Sequence, residues 1–270
     1  MRHEEKLKLE MSELAKEKLK DKIVTWRVAL REVADVVGMN YKIKLMGNFH
    51  LWLEDGLSNV GLVAICGMGG IGKTTTATFL YNLNFSRFEG SSFIADVADV
   101  REISQQKDGL LRLQRQFLTD ICKTRNVQLN NIAKGTAMIK DAICGKKVFV
   151  VLDDVDTRDQ LDALLGMQGW LFPGSKIIIT TRRERLLGAY EFYKVHMLEN
   201  LSYEESLELF SWHAFGKCCP NNGYGEVSER VVRYCGGIPL AIKVLGSSLS
   251  GNCLNVWKSQ LEKLKAIPDS

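Results

Sequence analysis

One nine-residue stretch constrains the fold more than any other part of the chain. Residues 67–75 read G-M-G-G-I-G-K-T-T and fit the phosphate-loop pattern G-x-x-x-x-G-K-[ST]. The preceding segment, Val60–Cys66, is an apolar run of strand length, and Thr74–Leu83 carries apolar residues at a helical spacing. A strand, a glycine turn and a helix in this order predict a phosphate-binding turn in an α/β domain. The alternative is a glycine-rich turn that binds nothing.

Each residue type in the stretch has a physical role beside a phosphate group. Glycines let the backbone turn tightly and bring consecutive N–H groups to one anion, and the following helix adds the positive end of its dipole. We expect Lys73 to place its ammonium on the β- and γ-phosphates and the Thr74 hydroxyl to ligate Mg²⁺. The predicted phosphate-binding residues are Gly67, Met68, Gly69, Gly70, Ile71, Gly72, Lys73, Thr74 and Thr75.

A second chemical landmark is the segment Lys147–Val155. Five consecutive apolar residues indicate a parallel strand that is buried on both faces, and Asp153 and Asp154 follow it. The carboxyl ends of strands are where open α/β sheets place their ligands. We expect Asp153 to hold Mg²⁺, directly or through water, and Asp154 to orient or deprotonate a water molecule. The alternative assigns both aspartates to a turn or a helix N-cap.

A further apolar strand, Lys176–Thr181, ends in a polar cluster. Arg182 has the reach and the fixed charge to contact a γ-phosphate from this end of the sheet. Alternatively, Arg182 begins the next helix. Arg183 and Arg185 are expected to be solvated.

The remaining elements complete an α/β domain followed by a helical one. Strands are predicted at Ser91–Ala98 and Tyr193–Leu198, and helices at Leu110–Cys122 and Ile132–Ile143. Beyond residue 200 the period is helical, with a capping box at Ser202–Glu205. The predicted organisation is a terminal helix at 1–40, a linker at 41–59, a P-loop domain with a three-layer parallel sheet at 60–198, and a four-helix subdomain at 199–270.

Composition narrows the class of protein. The 270 residues carry a net charge of +4 with interspersed signs, which gives no reason to expect DNA or RNA as a partner. Seven cysteines without a C-x-x-C spacing indicate reduced core residues of an intracellular protein, and no apolar run is long enough to span a membrane. Residues 4–37 have a helical period, which fits either a coiled-coil partner helix or the last helix of another domain.

Five motifs in this order resemble plant NB-ARC disease-resistance proteins. The motifs are Gly67–Thr75, Phe93–Val97, Leu152–Asp156, Gly174–Arg182 and Gly237–Leu240. The resemblance covers about residues 60–268. Asp156 resembles the subclass that has an N-terminal Toll/interleukin-receptor (TIR) domain, and residues 4–39 look like the final helix of such a domain.

The resemblance implies a nucleotide-operated switch of the STAND ATPase group. ADP would hold an off state, and exchange for ATP would permit oligomerisation with other immune-receptor chains or signalling proteins. Asp153 and Asp154 then form the Walker B pair, Arg182 is the γ-phosphate sensor, and Pro239 packs beside the adenine. The implied location is the cytoplasm, with the nucleus as an alternative.

Departures from the family pattern leave other functions open. The TIR catalytic acid, the winged-helix subdomain and the arginine that normally follows a motif like Leu45–Gly47 are not found, so NAD cleavage is not expected. The main alternative is an interaction scaffold, or a truncated receptor fragment, with a vestigial nucleotide site. A small-molecule kinase would need an arginine-rich lid. A transport ATPase would need its signature before the Asp153 strand, whereas Ser248–Asn252 follows that strand.

Overall fold

The structure, a computed structural model, describes residues 49, 52–53, 60–98, 106–124, 127–166, 168–189 and 194–265. Contacts between residues divide the chain into two compact units. One contains Asn40–Leu201 and Gly236–Ala241, and the other contains Ser202–Cys235 and Ile242–Ser270. The predicted helix at 4–37 and the motif at 45–47 lie outside the described residues.

The first unit is built on a five-stranded parallel sheet. Its strands are β1 (Gly61–Cys66), β2 (Gly90–Ile94), β3 (Val148–Leu152), β4 (Lys176–Thr181) and β5 (Lys194–Met197). Its helices are α1 (Lys73–Asn84), α2 (Gln106–Cys122), α3 (Ile132–Ile143) and α4 (Arg158–Leu165). The strand order is β2-β3-β4-β1-β5, and each neighbouring pair is parallel. The central strands β3, β4 and β1 therefore lie side by side.

Both faces of the sheet are covered, which explains the continuous apolar runs. Every residue of β1, β3 and β4 is buried. Alternate residues of β3 enter opposite cores, since Val150 packs with side chains of α2, α3 and α4 while Phe149 and Val151 pack with side chains of α1. The predicted α/β class with three layers is confirmed.

Strand β2 is shorter than the sequence predicts. Ser91–Ala98 was expected to be extended, but the strand is Gly90–Ile94. Asp96 has φ 50°, in the left-handed region that interrupts a strand. The N–H of Val97 then donates to the carbonyl of Asp153 at 2.9 Å. The residues after Ile94 thus brace the loop that follows β3.

The second unit contains the helical part of the chain, as predicted. Among residues 201–265, which the structure describes, the helices are α5 (Tyr203–Phe215), α6 (Gly225–Tyr234), α7 (Pro239–Leu249) and α8 (Leu254–Lys265). The predicted capping box is present, because the Ser202 hydroxyl accepts from Glu205 N and the Glu205 carboxylate accepts from Ser202 N. Residues 236–241, including the start of α7, group with the α/β unit. None of the helices in the described ranges is both long and apolar enough to cross a bilayer.

Candidate functional site

The sheet topology brings three predicted segments to one edge. Strands β3, β4 and β1 are adjacent and parallel, so their carboxyl ends open on the same side. The loop after β1 contains the glycine stretch, the loop after β3 begins at Asp153, and the loop after β4 contains Arg182. The side chains that the sequence analysis selected are therefore gathered where a parallel sheet binds its ligand.

The glycine stretch adopts a backbone that other residues would not. Gly67, Gly70 and Gly72 have φ of 151°, 77° and 99°, in the region that glycine adopts without strain. Gly72 is the N-cap of α1, where no side chain caps the helix and no acidic residue occupies the first turn. The positive end of the α1 dipole therefore faces the loop with no acidic residue in the first turn of the helix itself.

Within this stretch the side chains differ in exposure. Met68, Thr74 and Thr75 are exposed, whereas Ile71 packs in the core on the α1 face of the sheet. Lys73 is only 6% exposed, and its ammonium donates to the carbonyls of Gly67 at 3.0 Å and Met68 at 2.9 Å. The lysine therefore follows the inside of the loop.

Lys73 lies near charges of both signs. Burial lowers the pKa of the Lys73 ammonium, and the neighbouring Arg182 charge lowers it further, while Asp154 and Asp153 oppose the shift. Because burial makes the charged form of Lys73 costly, an anion that enters the loop would stabilise that charged form. Lys73 and Arg182 together place two cations beside the glycine loop, where both could contact an anionic ligand.

Asp153 is held by two hydroxyl groups. Thr180 donates to Oδ1 at 2.6 Å and Thr74 donates to Oδ2 at 2.9 Å. The carboxylate is 1% exposed. Burial raises the pKa of Asp153, and the hydrogen bonds from Thr180 and Thr74 counteract this rise.

The Thr74–Asp153 pair fits a magnesium ion. Both groups offer hard oxygen atoms, which Mg²⁺ prefers, and adjacent ligands of an octahedral ion lie about 2.9 Å apart when each bond is 2.0–2.1 Å. The oxygens of Thr74 and Asp153 are separated by 2.9 Å. Mg²⁺ usually keeps several waters and needs few protein ligands. Thr74 and Asp153 could therefore hold it together with phosphate oxygens.

Asp154 has an unusual backbone and a basic partner. Its φ is 55°, and its N–H donates to the Thr180 hydroxyl at 2.8 Å. Its Oδ1 lies 3.3 Å from Nε of Arg182, whose side chain is 63% exposed.

A second, longer ion pair joins Asp156 Oδ2 to Arg183 Nη2 at 3.9 Å. Arg183 is therefore exposed, but it is not simply solvated as expected. Arg182 precedes the 3₁₀ helix Glu184–Ala189 and does not lie inside it.

The segment that contains Pro239 contacts the phosphate loop. The N–H of Leu240, next to Pro239, donates to the Gly70 carbonyl at 3.2 Å. A Cβ at Gly70 would lie 2.9 Å from Cβ of Leu240, so this contact needs glycine. Position 237 also requires glycine, because its φ is 77° and a Cβ there would lie only 2.6 Å from the Leu201 carbonyl oxygen. Pro239 is thus one residue from a direct contact with the loop.

Sequence reasoning missed three contacts in the site. Thr180 belongs to the polar cluster at the end of the Lys176–Thr181 strand, but its sequence context did not predict that this hydroxyl bridges Asp153 and the Asp154 N–H. It also missed the Leu240–Gly70 contact and the role of Gln160 in the loop after β3. A local signal for Gln160 existed, since Thr157 and Gln160 have the spacing of a capping box, which the structure contains.

Comparison with known proteins identifies the family. Residues 46–218 match the NB-ARC domain model. The chain is 37% identical to disease resistance protein RUN1 of Vitis rotundifolia over 94% of this chain and 21% of that protein. It is 41% identical to RPV1 of the same species (87% and 16%) and 34% identical to TMV resistance protein N of Nicotiana glutinosa (88% and 20%). The chain thus spans about a fifth of the length of these relatives.

Solved structures share the fold at low identity. Cdc6p from Pyrobaculum aerophilum superposes with a TM-score of 0.57 at 14% identity, over 76% of this chain and 59% of that one. A chain of the Drosophila ORC structure gives 0.56 at 10% identity, over 81% and 65%. The family match and the relatives confirm the resemblance inferred from the five motifs. The chain belongs to the NB-ARC family, and its P-loop NTPase fold implies a nucleotide-binding module.

Proposed function

We propose that the chain is the ADP/ATP-binding switch module of a plant intracellular immune receptor, with slow or no ATP hydrolysis. One observation carries the proposal: Lys73, Thr74, Asp153, Asp154 and Arg182 meet at the carboxyl edge of three adjacent strands. Two cations and a metal-ligating pair at a glycine loop suit a nucleoside polyphosphate. The relatives, all named as resistance proteins, supply the biological setting.

The proposed phosphate site uses backbone and side chain together. The amides of Gly69–Thr75 and the N-terminal end of α1 would hold the β-phosphate, and Lys73 would exchange its two carbonyl acceptors for phosphate oxygens. Thr74 and Asp153 would hold Mg²⁺, which supplies charge neutralisation between phosphates when bound. The contact between Leu240 and Gly70 supports the placement of Pro239 beside the adenine.

Hydrolysis would depend on Asp154, and its surroundings explain why it should be slow. A carboxylate that orients or deprotonates water needs free lone pairs on the side of the γ-phosphate. The Oδ1 of Asp154 is already 3.3 Å from the guanidinium of Arg182. We therefore expect binding and exchange to dominate over turnover.

The switch would be operated by Arg182. Its Nε faces Asp154, so the terminal nitrogens of the exposed guanidinium can donate to a γ-phosphate, which ATP has and ADP lacks. Differential contacts of this kind are what allow two nucleotides to favour two conformations. In the proposed role the ATP form oligomerises with receptor chains or signalling proteins in the cytoplasm or nucleus. The TIR subclass is proposed from Asp156 and residues 4–39.

Calorimetric titration with ADP and with ATP, each with Mg²⁺, tests the proposed site. The parent chain should bind both nucleotides, and Lys73→Ala should weaken binding at least tenfold, about 1.4 kcal/mol or more. Lys134→Ala is the matched control, since it removes an exposed lysine charge on α3. A folded parent that binds neither nucleotide would favour the interaction scaffold. Equal affinity of the Lys73 variant and the parent would refute the site assignment.

A further inference from the structure

The backbone after β3 is held at five consecutive positions. Within Asp153–Thr157, the first three N–H groups donate to Ile94 O at 2.9 Å, Thr180 Oγ1 at 2.8 Å and Thr180 O at 2.9 Å. The last two donate to Oε1 of Gln160 at 3.0 and 3.1 Å. Three residues, one each from β2, β4 and α4, thus accept from five consecutive amides.

Gln160 closes a ring of hydrogen bonds around this segment. Its side chain is 3% exposed, and its Nε2 donates to the Val97 carbonyl at 3.0 Å. The N–H of Val97 in turn donates to the Asp153 carbonyl at 2.9 Å. The ring therefore runs from Asp153 through Val97 and Gln160 to Asp156. It joins the loops after β2 and β3 through one buried amide.

The ring encloses Asp154, a residue with an unfavourable backbone conformation. Asp154 has φ 55°, and a non-glycine residue in this region costs on the order of 1–2 kcal/mol. Such a conformation persists only where surrounding contacts determine it. The same φ directs the Asp154 carboxylate toward Arg182. The contacts that hold the segment after β3 therefore also orient the Asp154 carboxylate.

We infer that Gln160 is a positioning residue that fixes the loop after β3, so that Asp153 and Asp154 face the phosphate loop. The inference rests on the proposed function. Ordinary helix capping would need only the bonds between Gln160 and Thr157 at the start of α4. The bonds to Asp156 N and Val97 O are not needed for capping. Both connect Gln160 to the segment that contains the carboxylates of Asp153 and Asp154.

Gln114 provides a matched control. It is also a fully buried glutamine of the α/β unit, and its Nε2 donates to Ala163 O in α4 at 2.8 Å and to Ile132 O at 3.1 Å. Its loss should destabilise the same helical layer without touching the ring. Gln160→Glu is a second variant, because a carboxylate can still accept from Asp156 N and Thr157 N but cannot donate to Val97 O when ionised.

Two measurements on the full chain test the inference. By hydrogen–deuterium exchange without nucleotide, the Asp156 and Thr157 amides should exchange at least tenfold faster in Gln160→Ala, remain protected in Gln160→Glu, and be unchanged in Gln114→Ala. By fluorescence titration with an ATP analogue, the factor by which Mg²⁺ tightens binding should fall at least threefold in Gln160→Ala and stay unchanged in Gln114→Ala.

The outcomes separate the inference from the proposed function. If the Asp156 and Thr157 amides exchange in Gln160→Ala as slowly as in the parent, the positioning role of Gln160 is refuted. It is also refuted if the factor by which Mg²⁺ tightens binding falls equally in Gln160→Ala and Gln114→Ala. If Gln160→Ala does not fold, unprotected Asp156 and Thr157 amides in Gln160→Glu would overturn it. A parent chain that binds no nucleotide would refute the proposed function and with it the link to Mg²⁺. The exchange measurement would then still decide whether Gln160 positions the segment.

Discussion

Arg182 connects Asp154 to the phosphate loop. Its Nε lies 3.3 Å from Oδ1 of Asp154, and its Nη1 lies 3.6 Å from the position that a Cβ would take at Gly69. The guanidinium thus spans the loops after β1, β3 and β4. One side chain is in reach of both the carboxylate proposed to orient water and the backbone proposed to hold phosphates.

Replacing Arg182 should change the preference between nucleotides. We expect Arg182→Ala to weaken ATP binding about threefold or more and ADP binding by less than twofold, because only ATP offers the γ-phosphate. The exposed side chain limits the size of the effect. Arg185→Ala removes a nearby exposed arginine and is the control. Calorimetry that found equal losses for both nucleotides would exclude a γ-phosphate sensor at Arg182.

Asp154 should separate binding from hydrolysis. Asp154→Asn removes the charge and keeps a residue that tolerates φ 55°, so nucleotide binding and stability should be retained while any phosphate release under single-turnover conditions is abolished. Asp154→Ala should do the same and also lose about 1 kcal/mol of stability. Phosphate release at the parent rate in Asp154→Asn would show that another group orients the water.

Two neighbouring glycines should differ sharply in their tolerance of a side chain. Gly236 and Gly237 have φ of 58° and 77°, but a Cβ at Gly236 meets nothing within 4 Å while one at Gly237 lies 2.6 Å from Leu201 O. Gly236→Ala should cost about 1 kcal/mol of unfolding free energy, which is the backbone effect alone. Gly237→Ala should cost at least twice as much in urea unfolding. Equal costs would mean that the Leu201 contact is not tight.

Much of the fold could be predicted from local sequence. The predicted bounds of β3 and β4 agree with the structure, because five consecutive apolar or β-branched residues, bounded by turn signals, indicate a doubly buried strand. The predicted end of β2 was wrong. The sequence Ala95–Ala98 continues the apolar pattern, but the backbone leaves the strand conformation at Asp96. That turn is set by the tertiary bond from Val97 to Asp153, which no local pattern contains.

The chemical groups of the site were predictable, whereas their mutual contacts were not. Lys73 and Asp153 stand in motifs whose residue types predict phosphate and metal binding. The Thr180–Asp153 bond requires that β3 and β4 are neighbours, and strand order is not written in either strand. Gln160 reads as a polar residue on an amphipathic helix, and only the folded chain reveals that it is buried.

His196 should make stability depend on pH. Burial, with the Lys194 charge as a smaller cause, lowers the pKa of His196 from 6.5 to about 4. The unfolded chain therefore binds a proton below pH 6.5 that the folded chain does not, so this contribution is complete above pH 6.5 and is lost as the pH falls toward 4. The total contribution to the free energy of unfolding is roughly 3 kcal/mol.

His196→Phe tests this dependence and should keep the contact with Phe49, whose ring centroid lies 4.4 Å away. Urea unfolding at several pH values should show a shallower fall in stability for the variant than for the parent between pH 6.5 and 4. Parallel curves would show that His196 does not titrate on unfolding in this range.

The nucleotide content of the purified chain tests the central claim most directly. The chain is denatured, and any released nucleotide is identified and quantified by chromatography. The proposed switch predicts close to one ADP per chain, held by the phosphate loop and by Lys73. A folded chain that releases no nucleotide, and that also fails to bind added ADP or ATP, would contradict a nucleotide switch.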